Sequence, residues 1–356
     1  MTSKLNASAE VLYQGIKGLP IVSPHGHCNP IWFAQNKAFK NPAELLVIPD
    51  HYVFRMLYSQ GIPLSDLGIG SLGQGTEPRE IFRIFAKNWH LFLGTPSRVW
   101  MEYVLRETFQ IPTELSALTA DSMYDQITEK LEQDNYRPRA LFDRFNIETL
   151  ATTDSALDGL SHHATIKASD WTGRVIPTFR PDGVLDPLDP SFVQNLQELE
   201  KLTQCNLGSY SGYLDAIRSR RAYFVEMGAT ATDHAIEVIH TEWLDDPDVL
   251  YQILKLGAGT LEDARQFYGH MLIEMAQMSV EDGLTMQIHG GSRRNTNTKL
   301  LFEFGRDMGA DIPISVDWVR GLDALLNRVG HITDLKIVLF SLDDSTYTRE
   351  LAPMAG

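Results

Sequence analysis

Six short apolar runs, each bounded by glycine, proline or aspartate, constrain the fold of this chain most strongly. Apolar runs of this length are typical of parallel strands that are buried on both faces. Helical patterns separate the later runs; residues 260–282, for example, place apolar side chains at three- and four-residue steps between a capping sequence at Thr260 and a terminating Gly283. This alternation predicts parallel βαβ units. The predicted strands are residues 19–22, 147–153, 174–179, 222–231, 284–289 and 335–342.

A long helical stretch interrupts this alternation. Residues 30–145 are mostly amphipathic, with proline, glycine and serine breaks, so we expect a helical insertion between the first and second strands. The predicted domains are therefore residues 1–29, with the first strand, residues 30–145, the insertion, and residues 146–356, the remaining strands and helices. A closed eight-stranded barrel needs two more βα units than these six strands provide. The sequence therefore predicts either an open sheet or a barrel that stops after its sixth strand.

Charge and composition exclude several classes of partner. The chain has 356 residues, with 31 Lys and Arg against 46 Asp and Glu, and a formal net charge of −15. Nucleic-acid binding and polybasic membrane anchoring need concentrated positive charge, and no apolar run reaches the roughly 20 residues that cross a bilayer. The N-terminus has no secretion signal, and Cys28 and Cys205 are too few for a disulfide framework. We therefore expect an acidic, soluble, cytoplasmic α/β protein.

The sharpest local motif is His25-Gly26-His27, directly after the first predicted strand. Residues two apart in an extended chain point to the same side, and neutral imidazole is a good ligand for zinc or a similar divalent ion. The position at the carboxyl end of a strand favours a metal site, because the active sites of α/β barrels lie on that face. The alternative is a pair of surface histidines in a loop.

Arg180 follows the third predicted strand within the sequence PTFRPD, residues 177–182. Two prolines restrict the backbone on either side of the arginine, which suits a bidentate contact with a carboxylate. A salt bridge with Asp182 explains this segment equally well.

The fourth and fifth predicted strands also end in polar segments. The sequence TATDH (230–234) brings Asp233 to the fourth strand, and IHGGSRRN (288–295) brings His289 and two arginines to the fifth. Each histidine taken alone is more often structural. Four strands that all end in titratable or cationic residues indicate a shared pocket, because a hydrophobic core has no need of them.

A further candidate pair, His51 and Tyr52, begins a helical stretch after Asp50. An imidazole or a phenol close to a metal can move protons. The alternative interpretation is that Asp50 caps a helix and that the two residues after it lie on the surface.

These motifs occur together and in a fixed order. They are HGH at 25–27, DHY at 50–52, TTD at 152–154, PTFRPD at 177–182, TATDHA at 230–235 and IHGGSRRNTNT at 288–298. From about residue 18 to its C-terminus, the chain resembles the uronate (glucuronate) isomerase family of the amidohydrolase superfamily. The HGH motif is common to the superfamily, whereas PTFRPD and the loop from His289 to Asn295 are specific to the family.

The resemblance implies a distorted (β/α)8 barrel of the TIM type, with a helical insertion after the first strand. It also implies interconversion of D-glucuronate with D-fructuronate and of D-galacturonate with D-tagaturonate. The implied partner is therefore a small hexuronate, with further copies of the chain in a homo-oligomer, and neither nucleic acid nor a membrane. By matching motif positions, the resemblance implies roles for eight residues: His25 and His27 as ligands of a divalent metal, usually Zn²⁺; His51 and Tyr52 as the catalytic pair; and Arg180, His289, Arg294 and Asp233 as substrate-binding residues.

One difference from the family pattern concerns the end of the chain. The family continues through a seventh strand and an eighth strand that carries an aspartate, which is a metal ligand and a candidate proton carrier, and an arginine. The chain ends before either segment, so we expect a truncated barrel, and no residue is assigned as the base at C2. Asp343 and Asp344 belong to the sixth strand and do not replace that aspartate.

Two rival hypotheses remain at this point. The first is a metal-dependent hydrolase of the same superfamily, although two-metal hydrolases there usually carry a lysine at the end of the fourth strand, where this chain has Thr-Asp-His. The second is an inactive fragment that binds a sugar acid or assembles with other chains.

Overall fold

The structure is a computed structural model that describes residues 7–355; residues 1–6 and 356 of the predicted domains lie outside the described residues. The strands are β1 (Ile21–Ser23), β2 (Ile147–Ala151), β3 (Asp154–Ser155), β4 (Arg174–Ile176), β5 (Phe179–Arg180), β6 (Ala231–Ile236), β7 (Thr285–Gly290), β8 (Ser292–Arg293), β9 (Ile312–Pro313) and β10 (Ile337–Phe340).

Helices make up most of the remainder. The α-helices are α1 (Ala7–Ile16), α2 (Pro30–Gln35), α3 (Pro42–Leu46), α4 (His51–Ser59), α5 (Pro78–Lys87), α6 (Pro96–Tyr103), α7 (Ala120–Leu131), α8 (Pro138–Arg144), α9 (Ser161–Lys167), α10 (Asp182–Leu185), α11 (Phe192–Thr203), α12 (Tyr210–Glu226), α13 (Pro247–Leu254), α14 (Leu261–Asp282), α15 (Thr298–Phe304), α16 (Trp318–Gly321), α17 (Asp323–Val329) and α18 (Ala352–Met354). Short 3₁₀ or π-helical segments are Leu64–Leu67, Ser71–Gly73, Trp89–Phe92, Val104–Thr108, Asp134–Tyr136 and Tyr347–Leu351.

Parallel strands lie side by side in the order of the chain. One sheet has the order β1-β2-β4, and a second sheet has the order β10-β7-β6-β5-β3. Only two residues separate β2 from β3 and β4 from β5, so the two sheets are successive parts of one series of parallel strands. This order confirms an α/β fold built from βα units. Within residues 7–355, β1 and β10 each pair on one side only, so these strands do not form a closed barrel.

The predicted fourth strand, residues 222–231, is wrong. Its first part belongs to α12, which continues to Glu226, and β6 begins only at Ala231. Gly228 has φ +102° and turns the chain between the two elements. A short apolar run cannot be assigned to a helix or a strand from periodicity alone. The motif residue Asp233 therefore lies inside a strand and not after one. The other five predicted strands are present, with ends shifted by a few residues.

Backbone contacts divide the described residues into two compact units. The first comprises residues 7–35, 142–291 and 315–355 and contains the parallel strands; the second comprises residues 36–141 and 292–314. The second unit is largely helical and takes in most of the range predicted as an insertion, together with the antiparallel pair β8–β9. The boundaries predicted from the sequence stay a prediction.

The core of the first unit includes apolar side chains from the parallel strands and from α12 and α14. Phe224 of α12 packs edge-on against Phe179 of β5, with ring centroids 5.1 Å apart. On β7, Met286 and Ile288 are fully buried in the same core. Because side chains alternate along a strand, the opposite face of β7 is left to Gln287 and His289.

Helix α14 begins and ends as its sequence predicts. The Thr260 hydroxyl accepts a hydrogen bond from the backbone N–H of Asp263 at 3.1 Å, and the Asp263 carboxylate accepts one from the backbone N–H of Thr260 at 2.8 Å. At the other end, Gly283 adopts φ +77°, the left-handed conformation that glycine allows without strain. These caps supply partners for groups that the ends of a helix otherwise leave unpaired.

We predict that Thr260→Ala lowers the free energy of unfolding by about 1 kcal/mol, because it removes the acceptor of this capping box. Urea denaturation followed by circular dichroism measures the change. Thr260→Ser keeps the hydroxyl and serves as the control. An unchanged urea midpoint for Thr260→Ala would show that the cap does not stabilise the protein.

Candidate active site

Three potential metal ligands converge in the first unit. His25 follows β1, Asp233 lies in β6 and His289 lies in β7, and one ligand atom from each lies within 4.8 Å of the others. Nε2 of His27 lies 3.2 Å from Nε2 of His25, so the second histidine of the motif is beside this cluster. We call His25, Asp233 and His289 the ligand cluster.

The ligand cluster contains buried polar atoms without hydrogen-bond partners among the described residues. These are both carboxylate oxygens of Asp233 and Nδ1 of His25 and of His289. Oδ1 of Asp233 lies only 2.6 Å from Nδ1 of His289, but the two are not aligned for a hydrogen bond. Buried polar groups are normally paired, and a divalent cation would pair the carboxylate oxygens of Asp233 and Nδ1 of His289 at once. Two imidazoles and a carboxylate are a donor set that suits zinc and similar metals.

Asp233 carries the negative charge of the cluster and is completely buried. Burial alone would raise its pKa, but the interaction with His289 and the positive charge of Arg180 outweigh burial and lower the pKa. Burial, followed by repulsion from His289 and His27, lowers the pKa of His25 despite the attraction of Asp233. An ionised carboxylate of Asp233 and a neutral imidazole of His25 are the states in which these two groups bind a cation.

Arg180 lies between two carboxylates. Its Nε donates to Oδ2 of Asp182 at 2.8 Å, and its Nη1 lies 3.4 Å from Oδ2 of Asp233. The salt bridge with Asp182, one of the two sequence interpretations, is therefore present, and the same guanidinium also reaches the ligand cluster. Burial raises the pKa of Asp182 to about 6, although Arg180 acts to lower it.

Side chains alternate between the two faces of β6, so Asp233 and its neighbour His234 lie on opposite faces of the strand. The imidazole of His234 is fully buried, with Nε2 3.1 Å from the hydroxyl of Thr232, and burial lowers its pKa to about 3. The histidines of the TATDHA and IHGGSRRNTNT motifs therefore differ. His289 belongs to the cluster, whereas His234 is a buried histidine paired with a hydroxyl.

The TTD motif at 152–154 forms a buried polar network with a histidine. The Thr152 hydroxyl donates to Oδ2 of Asp154 at 2.7 Å and lies 2.8 Å from Nε2 of His163. Burial raises the pKa of Asp154 to about 6 and lowers the pKa of His163 to about 4. A cavity of about 300 Å³, whose lining includes Asp154, Asp158 and His162, adjoins His27.

His51, Tyr52 and Arg294 lie in the second unit. Asp50 caps α4 by accepting a hydrogen bond from the backbone N–H of Tyr52 at 2.8 Å, as the alternative interpretation of this segment expects. The side chain of Tyr52 is about half exposed, and its ring packs beside His51 with centroids 4.4 Å apart. The guanidinium of Arg294 lies 3.7 Å from a carboxylate oxygen of Asp307 and of Asp311. The roles given to these residues stay predictions.

The structure thus groups the predicted site residues differently from the sequence analysis. Of the two predicted metal ligands, His25 is a member of the ligand cluster and His27 lies beside it. Asp233 and His289, which the sequence analysis gives to substrate, are the other two members. The sequence indicates this grouping only by placing His25, Asp233 and His289 near the carboxyl ends of strands. The distances between their ligand atoms are known only from the fold.

Comparison with known proteins identifies the family. Residues 2–356 match the family model of glucuronate isomerase. The chain belongs to the glucuronate isomerase family. A uronate isomerase of Rhizorhabdus wittichii is 53% identical over 350 residues, and one of Rhizobium meliloti is 50% identical over 358 residues. The crystal structure of glucuronate isomerase from Caulobacter crescentus has a TM-score of 0.95 at 46% identity, and that of uronate isomerase from Thermotoga maritima 0.90 at 25%.

These matches bear on the expected truncation. They cover 98% of this chain for the Rhizorhabdus relative and 99% for the Rhizobium and Caulobacter relatives, and they cover 74%, 76% and 75% of those proteins. The chain therefore spans about three quarters of the length of these relatives, and the expected truncation after the sixth strand stays a prediction. None of the helices within residues 7–355 is long and apolar enough to cross a membrane.

We predict that Asp233→Asn weakens the affinity for Zn²⁺ by at least about tenfold, because loss of a charged ligand should cost no less than loss of an outer-shell partner. Chelator competition and metal analysis after dialysis measure the affinity. Asp170→Asn, at an exposed position of the same unit, is the control. Equal zinc retention in Asp233→Asn and wild type would contradict the metal assignment.

We predict that Asp154→Asn is stabilised relative to wild type as the pH rises. The folded-state pKa of Asp154, about 6, lies above its ordinary 3.8, so ionisation destabilises the native wild-type protein as the pH rises through this range. Between about pH 5.5 and pH 8 the difference should grow by roughly 1 kcal/mol in favour of the variant. Urea denaturation at both pH values measures it, and a pH-independent difference would contradict the raised pKa.

Proposed function

We propose that this chain is a uronate isomerase that interconverts D-glucuronate with D-fructuronate and D-galacturonate with D-tagaturonate. The observation that carries the proposal is the match to the glucuronate isomerase family over residues 2–356. The ligand cluster beside Arg180 supports it, because it offers a cation site and a cationic side chain to an anionic sugar acid.

The reaction moves a hydrogen between two adjacent carbons of the open-chain sugar acid. A base takes the proton from C2, the electron pair forms the C1=C2 double bond of a cis-enediolate, and the electrons of the C1 carbonyl move to O1. A proton then passes from O2 to O1 and another returns to C1, which leaves the carbonyl at C2. Negative charge on the enediolate oxygens is the main barrier. His25, His27, Asp233 and His289 would hold the metal, which we propose to be Zn²⁺ and which, when bound, supplies positive charge to those oxygens.

Arg180 is proposed to pair with the carboxylate of the substrate. The carboxylate of Asp182 orients the guanidinium through Nε, and Nη1 is turned toward the ligand cluster. His51 and Tyr52 are proposed to move protons at C1 and C2. The polar cavity beside His27 has the size of a small-molecule site and is proposed to take part of the hydroxylated chain.

Two further assignments complete the proposal. Both cysteines, Cys28 and Cys205, are free, which supports a reducing compartment such as the cytoplasm. β6 (Ala231–Ile236) contains no lysine, which disfavours a two-metal hydrolase of the same superfamily.

We predict that the zinc-loaded protein isomerises uronates and that Arg180→Lys raises the KM for them by about tenfold with a smaller change in kcat, because an ammonium cannot form the bidentate contact. Steady-state kinetics with D-glucuronate and D-galacturonate measure both constants. Arg218→Lys, which alters an exposed salt bridge with Glu281 in the same unit, is the matched control.

Three outcomes would count against these assignments. An unchanged KM for Arg180→Lys would contradict the proposed contact between Arg180 and the carboxylate of the substrate. Absence of uronate turnover in wild type would contradict the isomerase. Hydrolysis of lactones or amides in its place would favour the hydrolase.

A further inference from the structure

Gln287 connects β7 to the segment that carries the histidine motif. It lies two residues before His289 on the same strand, so the two side chains share a face. The side chain is 2% exposed, and its Nε2 donates a hydrogen bond to the backbone carbonyl of Pro24 at 3.0 Å. Pro24 directly precedes His25. The amide of Gln287 is therefore fixed next to the first residue of the ligand cluster.

This hydrogen bond determines which way the amide faces. Because Nε2 is used by Pro24, the other end of the amide, Oε1, is the atom left for a second contact. Oε1 is buried and has no hydrogen-bond partner among the described residues. A buried carbonyl oxygen without a donor loses its hydration without compensation, so a donor is expected beside it.

In His25 a ring nitrogen also lacks a hydrogen-bond partner. Its Nε2 faces Nε2 of His27 at 3.2 Å, while its Nδ1 is buried and likewise has no hydrogen-bond partner among the described residues. The side chain of Gln287 also acts to raise the pKa of His25, against the larger lowering effect of burial. Neutral imidazole carries one N–H, and the nitrogen without it has the lone pair that binds a cation.

We propose that Gln287 is a positioning residue for His25, whose Nδ1–H donates to Oε1 of Gln287. This contact fixes the tautomer in which Nε2 is unprotonated and turns that nitrogen toward His27 and the ligand cluster. A partner of this kind on the second ring nitrogen is the usual way in which metal-binding histidines are oriented. The amide does this without adding a second negative charge beside Asp233. The inference rests on the proposed metal role of His25.

The test compares two substitutions of Gln287 in the full chain. Gln287→Met keeps the length of the side chain and removes both the acceptor and the donor to Pro24, whereas Gln287→Glu removes the donor and keeps an acceptor. Thr241→Val is the matched control, because it removes a buried hydroxyl that bonds Gly321 and Leu325 elsewhere in the same unit. We expect Gln287→Met to weaken Zn²⁺ and Co²⁺ binding by about 10- to 100-fold. Thr241→Val should leave binding unchanged, and Gln287→Glu should retain more of the affinity than Gln287→Met because it keeps the acceptor.

Nitrogen-15 NMR of histidine side chains in the metal-free protein provides a readout that does not depend on activity. The His25 signals, assigned by their loss in His25→Asn, should report a protonated Nδ1 in wild type and Gln287→Glu, and a change of tautomer in Gln287→Met. Wild-type tautomer and metal affinity in Gln287→Met would overturn the proposal. If Gln287→Met does not fold, the tautomer of His25 in Gln287→Glu decides: a protonated Nδ1 supports the proposal, and an unprotonated Nδ1 overturns it.

These readouts separate this inference from the proposed function. A wild-type protein that shows the expected tautomer and metal binding but does not turn over uronates would contradict the isomerase and leave the role of Gln287 standing. Full uronate isomerase activity in the wild-type protein, together with a wild-type tautomer in Gln287→Met, would support the isomerase and contradict the role of Gln287.

Discussion

The buried carboxylate of Asp233 is the constraint on which the rest of the site depends. An ionised carboxylate with no exposure to water is costly unless positive charge or hydrogen-bond donors surround it. Here the guanidinium of Arg180 and the imidazole of His289 approach it from the strands on either side, β5 and β7, and His25 approaches from the segment after β1. The lowered pKa of Asp233 shows that these neighbours outweigh burial. Residues at the ends of β1, β5 and β7 thus surround the single carboxylate of Asp233.

The alternation of side chains between the two faces of each strand explains how a charged cluster and an apolar core share the same sheet. On β7, His289 faces the cluster while Met286 and Ile288 are fully buried in the core with α12 and α14. On β6, Asp233 faces the cluster and His234 does not, although both are buried. A shift of either strand by one residue would exchange the two faces. Strand register therefore sets the chemistry of the site as directly as residue identity does.

The sequence predicts the members of the site better than their arrangement. His25, Asp233 and His289 all lie in motifs recognisable without a structure, because polar residues at the carboxyl ends of buried strands are unusual. The sequence also predicts that they share a pocket, but it does not predict that Asp233 and His289 join His25 in one ligand cluster, since those distances depend on the curvature of the sheet. The error at residues 222–231 has a local cause. The last turns of α12 are as apolar as a strand, and Gly228 is the residue at which the chain turns between α12 and β6. For Arg180 the sequence left open a bidentate contact with a carboxylate and a salt bridge with Asp182; the salt bridge is present, and the same guanidinium also approaches Asp233.

The curvature itself depends on contacts that are not part of a sheet ladder. β1 pairs with β2 and β7 pairs with β6 and β10, yet Gln287 of β7 donates to Pro24 after β1, and the rings of His25 and His289 lie 4.4 Å apart. Phe340, at the end of β10, stacks on His289 at 4.1 Å and approaches His25 at 5.7 Å. Parallel strands rotate relative to one another, so six of them in chain order bring the last strands around toward the first. Aromatic packing and one side-chain hydrogen bond then hold the ends of the series together, and the ligand cluster forms at that junction because His25 and His289 meet only there.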